Sequence, residues 1–86
     1  MREINKNQSN ITKQTGKFIE NIKWQIDFSI GMFEVCDNKE EVEKYATRAY
    51  TINETLYYTN AISEEEFQKI NKKIYEARYN RIFNKL

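Results

Sequence analysis

KFIENIKWQIDFSIGMFEVC, residues 17–36, can be read in two ways, and the choice decides the fold. Ile22, Trp24, Ile26, Phe28, Ile30 and Met32 alternate with polar residues or glycine, the period-two signature of a strand. Placed on a helix, however, Glu20, Lys23, Asp27 and Glu34 fall within one arc of about 60°, and Gly16 and Gly31 lie on that same polar side. The alternation also breaks at Phe33. A strand over Ile22–Met32 would be unusually long, and its one plausible partner, around Tyr50–Tyr58, would leave a two-stranded ribbon that is marginal in water. The segment therefore reads as helix.

On that helix Phe18, Ile19, Ile22, Ile26, Ile30 and Phe33 form one apolar stripe, and Trp24, Phe28, Met32 and Val35 form a second. A helix apolar over more than half its circumference predicts burial between neighbours, here as the first helix of a three-helix bundle touching both of the others. Ile11 continues the first stripe, which puts the start near Asn10. Residues 1–9 are then a polar arm, and residues 10–86 a single helical domain.

Further along the chain, no proline and only two glycines leave few breakers. A second start lies at Asp37-Asn38, with Glu40 or Glu41 at N3 depending on which residue caps. Val42, Tyr45, Ala46, Ala49, Ile52, Asn53, Leu56 and Tyr57 then recur at spacings of three and four. Ala46 and Ala49 at the centre of that stripe would admit a close helix neighbour. The clearest boundary is Ala61-Ile62-Ser63-Glu64-Glu65-Glu66-Phe67. Ser63 is an N-cap, Glu66 closes a capping box, and Ile62 staples onto Phe67. Glu40–Lys44 and Glu65–Lys69 are spaced as ion pairs on the outer faces. The predicted fold is all-α: a small three-helix bundle with helices at about 10–36, 38–59 and 63–84, the last two forming an antiparallel hairpin.

Leu56 through Ile74, centred on Ala61–Phe67, resembles the short helical hairpin of SHOCT-type C-terminal elements. Asn60 stands where those carry glycine, and Ile70 where lysine is common. The resemblance covers under a quarter of the chain. It implies a hairpin able to oligomerise, and no activity.

Composition sets the class. With 40% hydrophobic and 14% aromatic residues the chain can build a core. No run approaches a membrane span, the first ten residues lack an apolar leader, and one cysteine forbids an internal disulfide, so a soluble cytoplasmic protein is expected. Lys, Asn, Ile and Tyr supply 37 of the 86 residues. That bias toward A/T-rich codons suggests a low-GC bacterium, or a phage or mobile element living in one. A net charge of +1 conceals blocks of +3 over residues 1–17, −6 over 34–66 and +5 over 69–86. Acids at helix starts and bases at helix ends account for much of this through the helix dipole.

Signatures of chemistry are sparse. The chain has no histidine, which removes the commonest general base and most zinc sites. Cys36 lies on the apolar arc with no base or cation cluster to activate it, and reads as a small core hydrophobe. Glu40-Glu41 and Glu64-Glu65-Glu66 diverge around their helices and read as capping and dipole residues. Glycines only at 16 and 31 allow no phosphate-binding loop. No catalytic residue, metal site or cofactor is expected, and no enzyme.

The last helix is the most suggestive. Phe67, Ile70, Ile74 and Ala77 make a core stripe, and beyond it a second apolar face opens through Tyr75, Tyr79, Ile82, Phe83 and Leu86. Lys72, Lys73, Arg78, Arg81 and Lys85 are interleaved with it. This face could cover the N-terminal arm or the first helix. Its Tyr, Phe and Arg content also suits a protein interface, with Tyr75, Arg78, Tyr79, Arg81, Ile82, Phe83 and Leu86 as partner-binding residues. The expected function is a non-enzymatic protein-binding module, a regulatory, accessory or inhibitor protein of a phage or mobile element, whose partner is a larger protein. A nucleic-acid-binding accessory protein using the basic aromatic helix and a self-assembling structural protein are the alternatives.

Overall fold

The computed structural model describes the backbone of residues 2–86 and the side chains of residues 16–86. Helix α1 spans Arg2–Met32 and tightens into a 3₁₀ turn over Phe33–Val35. α2 spans Lys39–Tyr58, and α3 spans Glu64–Asn80 before widening into a π-helical turn over Arg81–Lys85. The described residues form an all-α three-helix bundle without strands, and residues 22–32 are helical throughout. The backbone is already helical from Arg2, ahead of the start expected near Asn10. The polar side chains of the expected arm, residues 1–9, lie outside the described residues.

Local chemistry fixes each boundary. Asn38 is extended and its side chain accepts from Glu41 N at 2.9 Å, so Asn38 rather than Asp37 caps α2. Glu41 in turn accepts from Asp37 N. At the far end Asn60 N donates to Tyr57 O and Ala61 N donates to Leu56 O, the paired bonds of a Schellman stop. Asn60 carries the positive φ of 62° that this stop requires. Ser63 then caps α3, its Oγ accepting from Glu66 N at 3.1 Å. The box is only half closed, because the Glu66 carboxylate reaches across to Lys23 on α1 instead of back to Ser63.

The core has two centres along the bundle. Ile26, Ala49, Leu56, Ile62 and Ile74 form one; Phe33, Cys36, Val42 and Ala46 form the other; Ile30 and Tyr50 pack against both. Ala46 and Ala49 are buried as their spacing predicted. Buried Asn53 donates to Phe67 O at 3.0 Å and to Asn71 Oδ1 at 2.9 Å, tying α2 to α3.

The inter-helix ion pairs give the topology. Lys23 pairs with Glu66, Asp27 with Lys73 and Glu34 with Lys85, so α1 and α3 ascend together and run parallel, with α2 antiparallel to both. This corrects the expected role of α1. Its first stripe is core except for the exposed Phe18, but its second is not sandwiched: Trp24, Phe28 and Val35 are exposed. The arc holding Lys23, Asp27 and Glu34 faces α3 instead, because that helix presents Glu66, Lys73 and Lys85 in matching order. The spaced pairs Glu40–Lys44 and Glu65–Lys69 do not form. Among the described residues the ion pair at helical spacing is Lys72–Glu76.

Candidate protein-interaction surfaces

The seven residues expected to bind a partner divide by the direction in which they point. Tyr75, Tyr79, Phe83 and Leu86 are exposed and follow one another along α3 and the π-helical turn that extends it. Ring centroids lie 6.2 Å apart between Tyr75 and Tyr79 and 4.8 Å between Tyr79 and Phe83, a continuous aromatic row. Tyr79 is 47% and Phe83 60% exposed, so the row is surface and not core. Because α1 runs parallel to α3, its N-terminal end lies at the opposite end of the bundle from Phe83.

The other three residues turn inward. Ile82 packs against the Phe33–Cys36–Val42–Ala46 centre. Arg78 makes a two-pronged pair with Glu43, one prong at 3.0 Å, and the guanidinium draws the Glu43 carboxyl below its ordinary value, chiefly by hydrogen bonding. Arg81 Nη2 donates to Cys36 O at 2.8 Å and so closes the end of the 3₁₀ turn after α1. Helical spacing placed these side chains near the core stripe; their acceptors, on α2 and in the α1–α2 connection, could not be read from it.

Three of the remaining cations of the C-terminal block are also engaged, and among the described residues Lys69 is not. Lys73 pairs with Asp27, Lys85 with Glu34 and Lys72 with Glu76. Three cations of the +5 block, Lys73, Arg78 and Lys85, therefore meet counter-charges on the other helices.

An apolar groove of about 550 Å³ opens where α1 passes the α2–α3 turn, lined by Phe18, Ile19, Ile22, Ile52, Leu56 and Ala61 with Thr51, Thr55, Thr59 and Asn60 at its edges. Among the described residues no ionisable side chain lines it, and those residues offer shape and apolar surface rather than an acid or base. Cys36 is buried, donates its thiol to Met32 O at 3.1 Å, and is pushed above its ordinary value mainly by burial, the state of a core thiol. Among the described residues no three of His, Cys, Asp and Glu converge on a common point, and no helix is long and apolar enough to cross a membrane.

A second exposed aromatic surface lies on α1. Trp24 and Phe28 stack with centroids 5.5 Å apart on the outer face of the helix. The sequence marked both residues as apolar and at helical spacing, but not which stripe α2 and α3 would leave uncovered.

Comparison with protein-family models, with curated proteins and with solved structures finds no match to this chain.

Proposed function

We propose that this chain is a non-enzymatic protein-binding module that engages a larger protein through the aromatic row of α3. The observation that carries the reading is the separation of Tyr75, Tyr79, Phe83 and Leu86, which face outward, from Arg78, Arg81 and Ile82, which hold the bundle together. A contiguous aromatic row on a polar chain is the kind of surface that marks an interaction site. The absence of histidine and the A/T-biased composition suit a regulatory, accessory or inhibitor protein of a phage or mobile element, acting by occluding or recruiting its target. The nucleic-acid alternative is less favoured, because Arg78 and Arg81 are turned inward and Lys73 and Lys85 pair at the surface.

Tyr79→Glu and Phe83→Glu should leave the helical circular dichroism and melting temperature nearly unchanged while abolishing partner capture. Light scattering on the same variants separates a foreign partner from a second copy. Unfolding by either change would make the row core. Tight nucleic-acid binding at physiological salt would favour the alternative.

A further inference from the structure

The outer face of α1 carries an aromatic pair that nothing described in the fold covers. Trp24 is 62% and Phe28 46% exposed, and beside their stacked rings lies a shallow depression of about 220 Å³ lined by Trp24, Gln25, Phe28, Ser29 and Arg48. That volume falls below the roughly 300–1,000 Å³ of small-molecule pockets, and suits a side chain or two from a docked polypeptide.

Two features point to the chemistry of the occupant. Ser29 lines the depression while only 1% exposed, and its Oγ has no hydrogen-bond partner among the described residues. Buried hydroxyls are nearly always partnered, so a lone one on a residue lining a depression marks a bond left to be made. At the rim stands Arg48, with Lys44 one turn earlier on the same exposed flank of α2. Neither makes an ion pair among the described residues, as is also true of Lys39 and Lys69, but only Arg48 lines the depression. An unpaired guanidinium beside an indole is a fork for a carboxylate set against an apolar platform.

We propose that Trp24, Phe28, Ser29 and Arg48 form a docking site for an acidic, apolar protein segment. Arg48 takes an aspartate or glutamate carboxylate, the Ser29 hydroxyl donates to it, and a neighbouring aliphatic or aromatic side chain lies on the Trp24–Phe28 stack. Charge complementarity calls for an anionic occupant, and the small number of cations favours a carboxylate-bearing protein segment over nucleic acid. Two cations one helical turn apart give no track along a phosphate backbone, which single-strand binders supply as a basic groove. The site lies on α1 and α2 and does not depend on the α3 row, so Tyr79→Glu leaves it intact.

Trp24 is the chain's single tryptophan, and its emission therefore reports on the site directly. The full chain is titrated at physiological salt with a short blocked peptide alternating glutamate with leucine and phenylalanine. The same peptide with lysine for glutamate, and a short oligothymidylate, serve as the other arms. The expected result is a saturable blue shift with the glutamate peptide alone. Arg48→Ala weakens it at least about tenfold and Ser29→Ala about threefold, with circular dichroism unchanged. Flat emission, an equal response to the lysine peptide, or affinity unmoved by both substitutions overturns the proposal. A stronger response to oligothymidylate reassigns the site to nucleic acid. A shift that follows chain concentration alone reassigns it to a second copy.

Discussion

Arg78 holds Glu43 through two hydrogen bonds, Nε to Oε1 and Nη2 to Oε2, the latter at 3.0 Å, across the α2–α3 interface. An arginine that the sequence offered to a partner is a bolt between two helices, and the aromatic row beside it is left without flanking free cations. The same pair gives the fold a pH dependence of definite sign.

Because Arg78 lowers the Glu43 carboxyl in the folded state, the pair's contribution is fully present above the ordinary carboxylate value of 4.5. It is lost as pH falls through the lower, folded value. Both partners are partly exposed, so solvent screening limits that contribution to about 1 kcal/mol. Thermal melts of the wild type and Glu43→Gln should differ near neutral pH and converge as pH drops well below 4.5. A gap that persists in acid would mean that the pair is not what stabilises the interface.

Asn53 is fully buried and ties α2 to both Phe67 O and Asn71 Oδ1. Asn53→Ala strips both bonds and opens a small cavity, and should cost about 1–3 kcal/mol in urea unfolding. Combined with Asn71→Ala, the loss should be less than additive. Strict additivity would show that the two side chains act independently.

Ser63→Ala removes the oxygen that caps α3 and should cost about 0.5–2 kcal/mol. Removing Ile62 and Phe67 together should show coupling in a double-mutant cycle, as a staple requires. A silent Ser63→Ala in thermal melts would place the start of α3 elsewhere.

Gly31 lies in α1 with open space where a Cβ would stand. No positive φ holds a glycine there. Gly31→Ala should therefore stabilise the bundle by about 0.5–1 kcal/mol, visible as a raised melting temperature. A lowered one would mean that α1 needs glycine's freedom at that position.

Local information settled the elements. Ser63 caps α3, Asn38 takes the α2 cap that the sequence left open between it and Asp37, and the Val42–Leu56 and Phe67–Ala77 stripes repeat at helical spacing. Each of these depends on residues within one or two turns, so a linear sequence exposes them. Even the contested Ile22–Met32 stretch resolved correctly, since its charges gathered on one helical arc.

What the sequence could not determine was which side of α1 would be covered. Two apolar stripes and one charged arc compete for two neighbours, and periodicity ranks apolar stripes first. The parallel placement of α3 set Glu66, Lys73 and Lys85 against Lys23, Asp27 and Glu34, which left Trp24 and Phe28 outside. The same packing drew Arg78 and Arg81 inward to Glu43 and Cys36 O, acceptors far away in sequence. Helical spacing names the faces of a helix, whereas the choice among them is a property of three helices meeting, fixed only when their charges and side-chain volumes are matched in space.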